Sequence, residues 1–191
     1  SPVRGGLVVA PAPELASQLR QKWHVRRMAN TYTQIYIQVV FAVEGRQSLI
    51  APEHNDELQK YITGIVTAQR HKLIAINNLP DHTHLLIGLR PDAALSELVR
   101  DIKANSSRFI NEKGWVKGRF SWQEGFGAFS YSRSQLDTVI RYIRNQQKHH
   151  AQKTFREEYS ALLDRFGVDY DPRYIFKPVD EGEAPSGAAP L

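Results

Sequence analysis

From Tyr32 to Val43 hydrophobic and polar residues alternate, placing Ile35, Ile37, Val39, Phe41 and Val43 on one face of a predicted strand. The period then lengthens. Pro52–His71 opens with proline, which is favoured at a helix start, and carries Leu58, Ile62, Ile65 and Val66 at helical spacing. Two short apolar runs, Lys72–Asn77 and His82–Leu89, flank the turn-rich Asn78–Asp81 and predict an adjacent antiparallel pair. Ala94–Lys113 carries a helical stripe of Leu95, Leu98, Val99, Ile102, Phe109 and Ile110, with Gly114 as its stop. Phe120–Tyr131, aromatic and punctuated by glycine, predicts a last strand. Ser132 with Gln135, and Thr154 with Glu157, form capping boxes that open two further helices, the second ending at Gly167. The resulting order, β-α-β-β-α-β followed by helices, is that of an α+β, ferredoxin-like split βαβ (RRM-like) fold. It predicts an antiparallel sheet with helices on one face and a further, C-terminal helix.

The ends read differently. Residues 1–27 combine a Pro/Gly/Val/Ala-rich opening with a polar, basic stretch and stop just short of Met28, the only methionine. They are read as a tag, linker or disordered extension, in preference to a basic DNA-contacting arm. Residues 28–178 are expected to form one domain. Residues 179–191, rich in Gly, Pro, Ala and acidic residues, are expected to be a disordered tail.

Composition narrows the chemistry. With 191 residues and 41% apolar content the chain can bury one sizeable core. The formal net charge of +5 suits a polyanionic partner without requiring one. The absence of cysteine excludes disulfides, thiolate metal sites and cysteine nucleophiles. No apolar run approaches the roughly 18 residues needed to cross a bilayer, so no membrane partner and a cytoplasmic location are expected.

His82 and His84 stand two residues apart in a strand-like run, so both face one side while Leu85, Ile87 and Leu89 face the other. Alone, such a pair is ordinarily a surface or hydrogen-bonded pair, or half of some metal site. The helix predicted from Ser134 to about His150 supplies partners. Leu136, Val139, Ile140 and Ile143 form its buried face, and Tyr142 lies roughly 110° from the centre of that face at the helical period. Gln146 stands one turn beyond Tyr142, and His149 continues the row. Two imidazoles and an amide oxygen can hold a divalent ion and leave positions open for substrate oxygens. The ion would polarise a phosphodiester, and an oriented phenol could attack it to give a covalent phosphotyrosine.

His82-Thr83-His84 resembles the His-hydrophobe-His motif of the HUH endonuclease superfamily, and Tyr142-Ile143-Arg144-Asn145-Gln146 resembles the helix of its single-tyrosine transposases. Phe120–Ser130 is similar to the aromatic strand before that helix in bacterial insertion-sequence members. The likeness covers about Asn30–Gly167. It implies cleavage and rejoining of single-stranded DNA at hairpin-bearing element ends, with Tyr142 as nucleophile and His82, His84 and Gln146 as ligands to Mg²⁺ or Mn²⁺. It also implies a homodimer, in which one subunit's tyrosine helix can serve the other's histidines, acting on DNA in the bacterial cytoplasm and nucleoid. Thr83 departs from the motif, which prefers a bulky apolar residue there. Tyr131 and Tyr159 are competing tyrosines, but only Tyr142 combines the helix phase with Gln146.

Other residues are open to two readings. Arg100, Lys103, Arg108, Lys113, Lys117 and Arg119 form a basic run that either contacts phosphates or is a solvated face. Trp122 and Phe126 either stack on unpaired bases or pack in the core. Asp81 could orient a histidine, but alternation along a strand would point it away, so a turn role is expected. His149 and His150 are left out of the metal shell. Besides a mobile-element transposase, the sequence admits a domesticated relative that processes chromosomal palindromes, a non-catalytic DNA-binding regulator on the same fold, and a zinc hydrolase. The last lacks a third His or carboxylate at close, fixed spacing.

Overall fold

A strand with apolar residues on alternate positions needs one covered face; β1 (Tyr36–Ala42) has two. The computed structural model describes residues 32–150, 153–172 and 175, except for the side chains at 148 and 149. The expected terminal segments, 1–27 and 179–191, lie outside the described residues. Within them β1 is followed by α1 (Asn55–Ala68), β2 (Lys72–Asn78), β3 (His82–Gly88), α2 (Leu95–Lys113), β4 (Gly127–Tyr131), α3 (Leu136–Arg144), α4 (Gln146–His150) and α5 (Phe155–Arg165). The sheet is antiparallel throughout, in the order β2-β3-β1-β4. This is the expected ferredoxin-like α+β arrangement.

Val39, Phe41 and Val43 meet Leu85 and Ile87 beneath α1 and α2, which bury Leu58, Ile62, Val66, Leu98, Val99, Ile102 and Ile110. The two crossover helices therefore share one face, as the sequence predicts. On the opposite face α3 seats Leu136, Val139 and Ile143 on Ala75 and Leu86. Beside it α5 seats Phe155, Leu162 and Leu163 on Val40, Ala42 and Phe129. An 11-residue helix such as α5 is marginal in isolation. Burial worth about 1.5–3 kcal/mol per large apolar side chain holds it here, along with the capping box that Thr154 and Glu157 complete as expected. Val40 and Ala42, polar-face positions by simple alternation, are buried because of this second layer.

Two departures from the sequence reading have local causes. Phe120–Tyr131 is not one strand: Gly125 turns the chain at a φ of 77°, and only Gly127–Tyr131 pairs along β1, with Trp122 making an isolated bridge to Val43. The helix expected from Ser134 to His150 is also interrupted. Its Ser132–Gln135 capping box forms as expected, but on a 3-10 turn, and the chain leaves helical geometry at Asn145. There Asn77 of β2 donates its amide N–H to the Ile143 carbonyl at 2.8 Å, taking an acceptor the continuing helix would use.

Gly127 marks where β4 and α5 press closest. A Cβ built there would lie 2.8 Å from the Tyr159 ring, too close for any real side chain. Gly127→Ala is therefore expected to destabilise the fold by about 1–3 kcal/mol, the usual cost of overpacking. Urea denaturation measures this, and an unmoved midpoint contradicts the packing described.

Candidate active site

β3 sets the site. His82 pairs with Ala42 and His84 with Val40, so both imidazoles face the layer of α3 and α5, and both are fully buried. Thr83 faces the other way, also buried, and its hydroxyl donates to Asn78 Oδ1 at 3.0 Å. The departure from an apolar residue at this position is thus satisfied by a hydrogen bond across the β2–β3 hairpin.

Each histidine is held by its Nδ1. His82 Nδ1 donates to Asp81 Oδ1 at 2.7 Å, which leaves Nε2 pointing into the cluster. Asp81 therefore orients a histidine, contrary to the turn role expected from alternation. It precedes β3 instead of lying in it, so the strand rule does not govern where its carboxylate points. Burial pushes the His82 imidazole down to about 4, against the opposing effect of Asp81, so the ring is neutral with a free lone pair at neutral pH. His84 Nδ1 sits 3.1 Å from Gln38 Nε2, and the Tyr131 hydroxyl donates to Gln38 Oε1 at 2.8 Å. Tyr131, a competing tyrosine, is thereby part of the support beneath His84. With Nδ1 against the Gln38 amide, Nε2 of His84 turns toward the Glu158 carboxylate.

Glu158 of α5 and His150 of α4 complete the group. Phe155 stacks on His82 with ring centroids 3.9 Å apart, which brings Glu158, three residues on, against the histidine pair. Its Oε1 lies 3.6 Å from His84 Nε2 and accepts from Gln146 Nε2 at 2.7 Å. The same oxygen accepts a very short hydrogen bond from the Tyr142 hydroxyl. Its Oε2 lies 3.9 Å from His82 Nε2 and 2.8 Å from His150 Nε2, the latter close but without hydrogen-bond geometry. Tyr142 and Gln146, the pair expected from helix spacing, thus meet at a residue that spacing did not reveal. The ring of Tyr142 stands 6.1 Å from that of His84 in the same chain.

The electrostatics are lopsided. Burial alone would raise Glu158, but His150, His84 and the Tyr142 hydroxyl hold it well below the usual carboxylate range. Burial, and then the charge of Glu158, push the Tyr142 phenol well above its ordinary value. Among the described residues, five buried polar atoms of this cluster lack a hydrogen-bond partner: His82 Nε2, His84 Nε2, His150 Nε2, Gln146 Oε1 and Glu158 Oε2. Each such atom costs about 1–3 kcal/mol if left unpaired. The ligand atoms of His82, His84, His150 and Glu158 all lie within 4.8 Å of one another. Three imidazole nitrogens and a carboxylate at this spacing fit a divalent metal ion.

Residues 31–146 match the family model described as transposase IS200 like, more than half of the chain. The chain belongs to the IS200-like transposase family. The ISDra2 transposase TnpA of Deinococcus radiodurans is 24% identical over 120 residues, spanning 59% of this chain and 84% of that protein. The structure of a REP-associated tyrosine transposase bound to a REP hairpin aligns at 18% identity and a TM-score of 0.49, covering 85% of this chain and 96% of that one. The family match contains His82, His84, Tyr142 and Gln146 and ends there; His150 and Glu158 lie beyond it.

Sequence reasoning left His150 out of the metal shell and missed Glu158. A signal for the latter was present: Glu158 falls between Phe155 and Leu162 at helical spacing, a carboxylate on an apolar stripe. The side chain of His149 lies outside the described residues.

The proposed DNA contacts divide. Lys103, Arg108 and Arg119 line one groove of about 380 Å³ along α2. Lys103 is half-buried there and donates to the Gln123 and Gly125 carbonyls, and desolvation holds it below the usual lysine range. Arg100 and Lys117 are exposed. Trp122 is a core residue, edge-on to Phe41 and Phe120 with Nε1 donating to Ser106, so it has no open ring face for a base. Phe126 is exposed. No described helix is long and apolar enough to cross a membrane.

Asp81→Ala removes the acceptor that orients His82. Affinity for a divalent metal, read by calorimetric titration, is expected to fall roughly 10–100-fold with far-UV circular dichroism unchanged. Wild-type affinity in this variant contradicts the orienting role.

Proposed function

We propose that this IS200-like transposase cuts and rejoins single-stranded DNA at hairpin-bearing ends, in the bacterial cytoplasm, with Tyr142 as nucleophile. The observation that carries the reading is the meeting of Tyr142, Gln146 and the His82/His84 pair at one buried point of a chain in this family. His82, His84 and Gln146 hold Mg²⁺ or Mn²⁺. Bound there, the metal supplies positive charge that draws a phosphate oxygen and offsets the negative charge now keeping the phenol protonated.

The remaining steps belong to the chain. β3, pinned through Asp81 and Gln38, keeps both imidazoles fixed while the phosphate is positioned. α3 carries Tyr142 beside His84, so the phenol needs orientation toward phosphorus instead of a long approach. Attack by the Tyr142 oxygen forms the phosphotyrosine bond and breaks the bond from phosphorus to the 3′-oxygen. The phenolic proton ends on the departing 3′-oxygen, leaving a 5′-phosphotyrosine and a free 3′-hydroxyl. Since one phosphoester is exchanged for another, reversal with a different 3′-hydroxyl joins strands without a nucleotide cofactor. Arg100, Lys103, Arg108, Lys117, Arg119 and Phe126 remain candidates to meet the DNA, with the groove of Lys103, Arg108 and Arg119 as the phosphate track.

The test incubates the full chain with hairpin-bearing single-stranded oligonucleotides and Mn²⁺ and resolves adducts under denaturing conditions. Wild type, Tyr131→Phe and Tyr159→Phe are expected to give a covalent adduct, while Tyr142→Phe loses at least 10³-fold in its formation, the scale of removing a nucleophile. Absence of an adduct with every hairpin, or an undiminished one from Tyr142→Phe, overturns the reading.

The protein is proposed to act as a homodimer, with each tyrosine serving its own chain's histidines, as the closeness of Tyr142 to His84 supports. Mixing Tyr142→Phe with His82→Ala subunits is then expected to restore no cleavage. Recovery of cleavage in the mixture would mean that the tyrosine serves the partner's site.

A further inference from the structure

We infer that Glu158 and His150 are metal ligands alongside His82 and His84, so that three imidazoles and a carboxylate form a site selective for a transition metal over Mg²⁺. The inference rests on the proposed function only in taking this cluster as a cation site.

Position supports it first. Glu158 does not approach from the rim; it sits at the centre, with one carboxylate oxygen toward His82 and His150 and the other toward His84, Gln146 and Tyr142. The residue is nearly fully buried. A buried carboxylate without a cation would rest on hydrogen bonds alone, yet its Oε2 has only the 2.8 Å contact to His150 Nε2, outside hydrogen-bond geometry, and the Nε2 atoms of His82 and His84 have no hydrogen bond either. One ion placed among these atoms satisfies all four. Asp81 adds a second carboxylate behind His82, so three imidazoles and two carboxylates offer a divalent cation both donor atoms and opposite charge.

The division of labour at Glu158 follows from its two oxygens. Oε2 faces the imidazoles and is free to ligate. Oε1 holds the Tyr142 hydroxyl and the Gln146 amide N–H, so the carboxylate ties the nucleophile's position to that of the ion. Gln146 must turn its N–H toward a carboxylate, which cannot donate when ionised. Its Oε1 is left buried and unpartnered, available to the same ion.

Selectivity follows from the donor set. Mg²⁺ prefers oxygen ligands and retains several waters, whereas imidazole nitrogen suits the transition metals. Three imidazoles in a buried site therefore disfavour Mg²⁺. A cleft of about 490 Å³ lined by Arg46, Asp81, His150, Lys153, Thr154, Phe155 and Glu157 opens at His150 and gives an ion a way in.

The test uses the full chain without DNA. Mn²⁺ and Mg²⁺ are titrated calorimetrically, and Co²⁺ is added to read its visible absorption band, which depends on the number and kind of ligands. Wild type is expected to bind Mn²⁺ at least tenfold more tightly than Mg²⁺. Glu158→Gln is expected to lose at least tenfold in Mn²⁺ affinity and to shift the Co²⁺ band, and His150→Gln, at the solvent edge, to shift the band as well. Wild-type affinity and spectrum in both variants overturn the inference. Should Glu158→Gln fail to fold by circular dichroism, His150→Gln alone decides through its Co²⁺ spectrum. The covalent-adduct assay is independent: an adduct with unchanged metal binding in both variants removes this inference and leaves the transposase reading standing. Ligand-dependent metal binding without any adduct does the reverse.

Discussion

A buried carboxylate surrounded by five polar side chains is the constraint on which this site depends. Glu158 is nearly fully buried, touches the Tyr142 hydroxyl and the Gln146 amide, and faces His82, His84 and His150. Removing such a charge from water is costly unless its partners are well placed. Much of the surrounding architecture serves that placement. Phe155 stacks on His82 and fixes α5 over β3, and the interruption at Asn145 sets Gln146 at the head of a new helical turn. Asp81 and Gln38 hold the two imidazoles from behind.

The same constraint explains why Tyr142, the proposed nucleophile, is held protonated in this arrangement. Glu158 accepts the phenolic proton's hydrogen bond and raises the cost of losing that proton, in addition to the effect of burial. A cation held by His82, His84 and Glu158 would supply positive charge against that carboxylate, close to the phenol. The site is thus built so that charge, more than distance, separates the resting arrangement from a reactive one. That fits phosphoryl-transfer chemistry, where positioning and electrostatic stabilisation supply most of the catalysis.

The fold was largely legible because its elements announce themselves locally. Alternation in β1, the stripe of α2 with Gly114 at its end, and both capping boxes are properties of neighbouring residues. The His82/His84 pair and the Tyr142/Gln146 row were legible for the same reason: one strand step and one helical turn. What escaped was non-local. The break at Asn145 comes from Asn77, a residue of another strand. The orienting role of Asp81 depends on its lying just before β3, a boundary that periodicity does not fix to a single residue. Glu158 is, by local pattern, an acidic residue in a helix's first turn, and the packing of Phe155, Leu162 and Leu163 against the sheet turns it inward. Of the two readings open for Trp122, the structure takes the core one, because Phe41 of β1 and Ser106 of α2 are its neighbours.

The most direct measurement is an anomalous difference map from crystals of the full chain soaked in Mn²⁺. A single peak is expected within bonding distance of His82 Nε2 and His84 Nε2, with Glu158 among its ligands and the Tyr142 hydroxyl beside it. A peak away from the histidine pair, or none at saturating Mn²⁺, would contradict this assignment.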